Sequence, residues 1–219
     1  MIDPIYFIII PIVLFSLTIH EFSHALAASR LGDDTAKRLG RLTLNPLKHL
    51  DLLGTLAILI IKFGWAKPVP VNVQNLKKGR KSLYIVAFAG PLSNFIIAIA
   101  FSILFYAFGF QNSVSNEIFF GFDYLNVAKF ISWMIYLNIM LGVFNLLSMP
   151  PLDGGNIIYS LLPDKVANKF YGLMSKPLYS ILSVVLLIFV IRSFPLILLY
   201  PIFFILNLLA PDAILYLNG

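Results

Sequence analysis

The chain has 219 residues, of which 59% are hydrophobic and 12% charged, and a formal net charge of +6; its mean hydropathy is +0.89. This composition excludes a soluble globular domain and predicts an all-α polytopic membrane protein, a single domain over 1–219 embedded in a lipid bilayer. The lack of cysteine excludes a disulfide framework and a thiolate metal site, so a metal would have to be held by His, Asp or Glu.

Eleven of the 16 Lys and Arg fall between Arg30 and Lys81. In a membrane protein that bias is a topology signal and not a nucleic-acid patch, so no nucleic-acid partner is expected. The N-terminal "MIDPIY" carries Asp3 and no Lys or Arg, which argues against a cleavable signal peptide. A spanning helix needs about 20 apolar residues, and the first is predicted from Pro4 to about Ser29. Arg30 ends it on a basic side, read as the cytoplasm, which puts the N-terminus outside. Asn45 followed by Pro46 predicts an N-cap with Pro at the first helical position, with Gly54 closing a short helix. The apolar run Thr55–Ile61 is too short to span, and with Gly64 and the Val-Pro alternation up to Asn72 it predicts a re-entrant, β-hairpin-like segment. The cluster "LKKGRK" returns the chain to the cytoplasm.

Ser82 to Asn116 holds no charge, predicting a second span from about Leu83 to Phe108. The loop after it, Gly109–Asn126, has acids but no Lys or Arg and is read as outside. A third span is predicted from about Val127 to Leu147, ended by Pro150 and Pro151. These three spans and the re-entrant segment form a core of about residues 4–160. Lys165, Lys169 and Lys176 mark a further cytoplasmic stretch. The apolar runs Pro177–Ile191 and Ser193–Leu209, broken by Arg192 and Pro195, predict one or two C-terminal membrane segments over about 177–210.

The first span carries His20-Glu21-Phe22-Ser23-His24. On a helix, positions i and i+4 lie about 40° apart on one face, so both imidazoles can reach one ion. This is the His-Glu-x-x-His pattern of zinc hydrolases, two metal ligands and a general base. Two hydrogen-bonding histidines and a satisfied Glu are the bland alternative, but ionisable groups inside a membrane are functional by default. A catalytic zinc needs a third protein ligand. Asp153 follows the third span at a matching depth, with Gly154 and Gly155 allowing close backbone approach; as an alternative, it caps a helix starting near Asn156. His49 and Asp51 stand next in line.

"HEFSH" in the first apolar helix, together with "NLLSMPPLDGG", "NPLKHLDLLGT", "GWAKPVPVN" and "AGPLSN", resembles the site-2 protease family of intramembrane zinc metalloproteases over about residues 10–160. The resemblance implies one Zn2+ per chain on His20, His24 and Asp153, with Glu21 as catalytic base. It also implies that Asn94 and Asn145 lie near the site, contacting substrate or an oxyanion, or else packing between helices. The implied substrates are transmembrane proteins or peptides, cleaved in the cell membrane with the active site toward the cytoplasm. The chain resembles the compact form of the family, without a PDZ insertion or regulatory domain. A metal transporter and a non-catalytic relative that binds membrane proteins are the rival readings. The first needs ligands on both sides of the bilayer, and the second a degraded motif.

Overall fold

The computed structural model describes residues 5–51, 67–111, 118–119, 122–174 and 176–217. It is mostly helical. In chain order the helices are α1 (Tyr6–Arg30), a one-turn α2 (Thr35–Arg38), α3 (Leu83–Ala107), α4 (Tyr124–Asn145), α5 (Asp153–Leu161), α6 (Asp164–Met174), α7 (Pro177–Ser193) and α8 (Leu196–Leu209). Among the described residues three helical stretches are long and apolar enough to cross a membrane: Tyr6–Arg30, Gly79–Ala107 and Tyr124–Asn145. These are the three predicted spans, shifted by a few residues. The third begins at Tyr124 because the Asp123 side chain caps it, accepting from the Leu125 N–H, a polar device that an apolar-run reading passes over. Asn45 caps as expected, accepting from Leu47 N–H. It starts only a single 3-10 turn, Pro46–Lys48.

The re-entrant hairpin expected over Thr55–Asn72 lies mostly outside the described residues. Its last part, Lys67–Asn72, is non-helical. The C-terminal apolar stretch forms two helices, α7 of 17 and α8 of 14 residues, broken at Phe194 and Pro195. Neither reaches the length of the first three. Ile118–Phe119 and Phe122–Asp123 form a minimal antiparallel pair in the loop before α4.

Helix α3 packs against α1, α4 and α5, and α4 against α1 and α8. The burial pattern is inverted relative to a water-soluble bundle. Ile96, Ile99 and Ile103 of α3 and Val185, Ile188 and Phe189 of α7 are exposed, whereas Ser16, His20, Glu21, His24, Asn94 and Asn138 are buried. Apolar side chains outward and polar ones inward is the arrangement hydrocarbon solvent demands. Two hydroxyls of α1 close on their own helix, Thr18 Oγ1 on Leu14 O and Ser23 Oγ on Ile19 O, both at 2.7 Å.

After α1 the chain turns at Gly32, whose φ of +104° and 3.0 Å approach of a would-be Cβ to Asn75 O leave room only for glycine. The next residue, Asp33, is fully buried. It accepts from Thr35, from the Asn75 side chain and from the Asn72 N–H. Burial alone would raise its pKa, but the hydrogen bonds from Thr35, Asn75 and Asn72 win and hold it below the usual carboxylate range. Asp33 thereby ties the end of α1 to the segment Lys67–Asn75.

Candidate metal centre

Helix α1 delivers His20 and His24 one turn apart, and α5 delivers Asp153 from its first turn. His20 Nε2 and His24 Nε2 lie 3.0 Å apart, and Asp153 Oδ2 lies 3.1 Å from the first and 3.3 Å from the second. The three residues form the cluster of potential metal ligands found among the described residues. Around a tetrahedral zinc with ligands at about 2.0 Å, neighbouring ligand atoms are about 3.3 Å apart, so the triangle has the size of one face of that tetrahedron.

The chemistry of the donors also fits a cation. His24 Nδ1 is 2.7 Å from the Val86 carbonyl, which can only accept, so Nδ1 carries the proton and Nε2 of the neutral ring is a bare lone pair. His20 Nδ1 is 2.7 Å from Asn94 Oδ1, an amide oxygen able to accept from it. Asp153 Oδ2 is buried and has no hydrogen-bond partner. Three lone pairs aimed at one another and away from water repel unless a metal ion or a shared proton lies among them. Opposite them is Gly90 of α3. A Cβ built there would come within 2.6 Å of His20 Nε2 and closer still to His24 Nε2, so the cradle exists because residue 90 has no side chain.

Asp153 reaches this position through tight packing. Gly154 lies against the carbonyl oxygens of Leu146 and Leu147, and Gly155 has its would-be Cβ 2.8 Å from Pro150 N. Any side chain at either position would push α5 away from the end of α4. Helix α5 begins at Asp153, with Leu152 as the N-cap residue and no side-chain cap hydrogen bond. Asp153 thus lies inside the first turn, with its Oδ2 facing the two histidines.

Glu21, next to His20 and buried, accepts from the backbone N–H of Val69 at 2.9 Å. Val69 lies between Pro68 and Pro70, which have no amide proton. The segment is pinned by Lys67, whose N–H donates to His49 O at 2.8 Å and whose carbonyl accepts from Arg41 at 2.6 Å. His49 and Asp51 are not in the metal-ligand cluster, and His49 Nε2 instead bonds the Thr43 carbonyl at 2.8 Å.

Asn94 is fully buried, with Oδ1 on His20 and Nδ2 donating to Asn138 Oδ1 at 3.0 Å. Asn145, in the last turn of α4, is half-buried and donates to the Leu141 carbonyl at 3.0 Å. Val86, Gly90, Val69 and Asn138 were not singled out from the sequence. For the first three the working group is a backbone atom or a missing side chain, so even where the residue lies in a quoted motif, as Val69 and Gly90 do, its type does not show its use. Asn138 did have one, as an amide in the middle of an otherwise apolar span.

Known proteins of similar sequence include ones named for zinc. Residues 6–190 match Peptidase family M50. The chain is 47% identical over 154 residues, 70% of its own length and 68% of the relative's, to a Bacillus subtilis (strain 168) protein named "Putative zinc metalloprotease YwhC". It is 35% identical over 147 residues to the Rip2 protein of Mycolicibacterium smegmatis and 30% to that of Mycobacterium tuberculosis, each named a "Putative zinc metalloprotease". These matches span 64% of this chain and 52% of the Rip2 proteins. No solved structure matches the chain.

Proposed function

The chain belongs to peptidase family M50, the site-2 proteases, and from that premise we propose that it hydrolyses peptide bonds of transmembrane substrates, using one Zn2+ held by His20, His24 and Asp153. The observation that carries the reading is the convergence of His20 Nε2, His24 Nε2 and Asp153 Oδ2 within 3.0–3.3 Å. Zinc bound there supplies Lewis acidity to the scissile carbonyl and to the attacking water.

The rest falls to the chain's own groups. Glu21 Oε2 is engaged by the Val69 N–H, so Oε1 takes the proton from water as its oxygen attacks the carbonyl carbon. The same oxygen returns the proton to the amine nitrogen as the C–N bond breaks. Atoms and charge balance, and Glu21 ends as it began. Packing of α1, α3 and α4 leaves His20, Glu21 and His24 buried, away from bulk water. Asn145, at the end of α4, is proposed to meet the substrate near the scissile bond.

The active site is proposed to face the cytoplasm of the cell membrane. Supporting this, α1 ends at Arg30, and Arg38, Arg41, Lys77, Lys78 and Lys81 lie on the connections at that end. Cysteine at Leu39, which is exposed, should be labelled by an impermeant reagent from the cytoplasmic face only, in a protein with no native cysteine.

The deciding experiment is cleavage of a model transmembrane peptide by purified protein, with metal content measured in parallel. Wild type should cleave, lose activity to a chelator and regain it with zinc. Glu21→Gln should keep about one zinc yet lose at least about 100-fold in rate, the low end for removing a general base. A Glu21→Gln protein as fast as wild type would sink the assignment.

A further inference from the structure

The metal centre requires both histidine rings to carry their proton on Nδ1, yet the triangle itself does not impose this on His20. Asp153 Oδ2, 3.1 Å from His20 Nε2, would readily accept a proton from that nitrogen. A ring protonated on Nε2 would fill the centre with its own hydrogen. His24 is guarded against this by the Val86 carbonyl, which can only accept. His20 faces a side-chain amide, and an amide can turn over to present either a donor or an acceptor.

What fixes the amide is a relay running away from the centre. Asn138 of α4, fully buried, places one end 2.9 Å from the Met134 carbonyl and from Ser16 Oγ of α1. A carbonyl only accepts, so that end of Asn138 must be the NH2 and the other end Oδ1. Oδ1 then accepts from Asn94, so the Asn94 NH2 faces Asn138 and its Oδ1 faces His20. His20 Nδ1 must therefore be the donor. One backbone carbonyl in α4 thus determines, through two asparagines, which nitrogen of a histidine in α1 is bare.

We propose that Asn138 is a positioning residue: acting through Asn94, it holds the His20 proton on Nδ1 and keeps Nε2 open to a metal ion. This rests on the zinc reading above, but its core statement concerns the metal-free protein and can be tested there. Removing the Asn138 acceptor frees Asn94 to turn, and metal binding must then work against a mixed population of tautomers. Hydrogen-bond partners behind a metal-binding histidine affect metal affinity by about 10–100-fold.

The test uses 15N-histidine labelling, tractable because the chain has three histidines, and zinc affinity by competition with a chromophoric chelator. In metal-free wild type the His20 ring should show a protonated Nδ1 and a bare Nε2. In Asn138→Leu it should become a mixture or change over, with zinc affinity reduced at least about tenfold and His24 unchanged. Adding Asn94→Asp to Asn138→Leu should restore both the tautomer and the affinity, since a carboxylate can only accept. A variant whose defect was merely poor packing would not be rescued by a buried carboxylate. Failure of that rescue in a folded double variant overturns the proposal. So does a wild-type His20 carrying its proton on Nε2, a result that holds even if Asn138→Leu does not fold. A wild type with the stated tautomer but no affinity for zinc would sink the metallopeptidase reading and leave the relay standing.

Discussion

The backbone N–H of Val69 donates to Glu21 Oε2 at 2.9 Å, and it is the single amide proton in the stretch Pro68-Val69-Pro70. Because Val69 precedes a proline its backbone is already confined to the extended region, so proline should fit there and delete only the donor. Val69→Pro is expected to keep its zinc and lose about tenfold or more in kcat, the scale of one hydrogen bond to a charged group. Val69→Ala, which keeps the amide, should cleave close to the wild-type rate. Equal rates for the two variants would show that the amide does not orient the base.

Gly90 should tolerate no side chain. The methyl of Gly90→Ala would sit about where the ion belongs, so zinc content should fall to near background. Alanine favours an α-helix over glycine by about 1 kcal/mol, so α3 itself should persist, as circular dichroism can check. Full zinc content in this variant would mean that the ion, if any, binds elsewhere.

Asp153 separates ligation from simple helix geometry. Asp153→Ala and Asp153→Asn should both lose zinc affinity markedly, because two imidazoles alone leave the ion under-ligated. Asp153→Glu should retain more than either but remain impaired, since one methylene displaces the carboxylate by more than the ~0.2 Å a metal site tolerates. Wild-type zinc and cleavage in Asp153→Asn would refute the ligand role.

Asp33 makes a pH-dependent contribution. Its folded pKa is depressed, so its stabilisation is present above the unfolded value of about 3.9 and fades as pH falls through the lower, folded value. Asp33→Asn puts an NH2 opposite the Asn72 N–H or the Thr35 donors, and should lower stability by about 1–3 kcal/mol near neutral pH. It should also flatten the acid limb of a thermal-melting profile. A profile identical to wild type would show that the ties to Asn72 and Asn75 contribute nothing.

The sequence revealed most where the physics is local. The two histidines of α1 can be read as a pair because a helix turn brings residues four apart together, and long uncharged runs mark spans because a bilayer tolerates little else. Asp153 was legible by a weaker route, as an acid at the right depth after a span. The relay was not legible, because its final element is the Met134 carbonyl, a group every residue possesses. Gly90 lies inside the quoted AGPLSN, but its use does not show in the residue type: what matters there is the space left when α3 crosses α1, and no periodicity encodes it. The family resemblance implies a place near the site for Asn94, but its two partners, His20 and Asn138, appear only in the packed fold.

Arg80, just before α3, reaches across to the last turn of α5, where it donates to the Tyr159 and Ser160 carbonyls and pairs with Asp164. With Gly154 and Gly155 wedged against the end of α4, the short helix bearing Asp153 is fastened at both ends. Fastening the backbone in this way leaves the Asp153 carboxylate only rotation about its own side-chain bonds. The place of the Asp153 backbone is thus set by packing that needs no ion, so an ion bound as proposed would find its third donor already mounted and would leave little of its binding energy spent on ordering it.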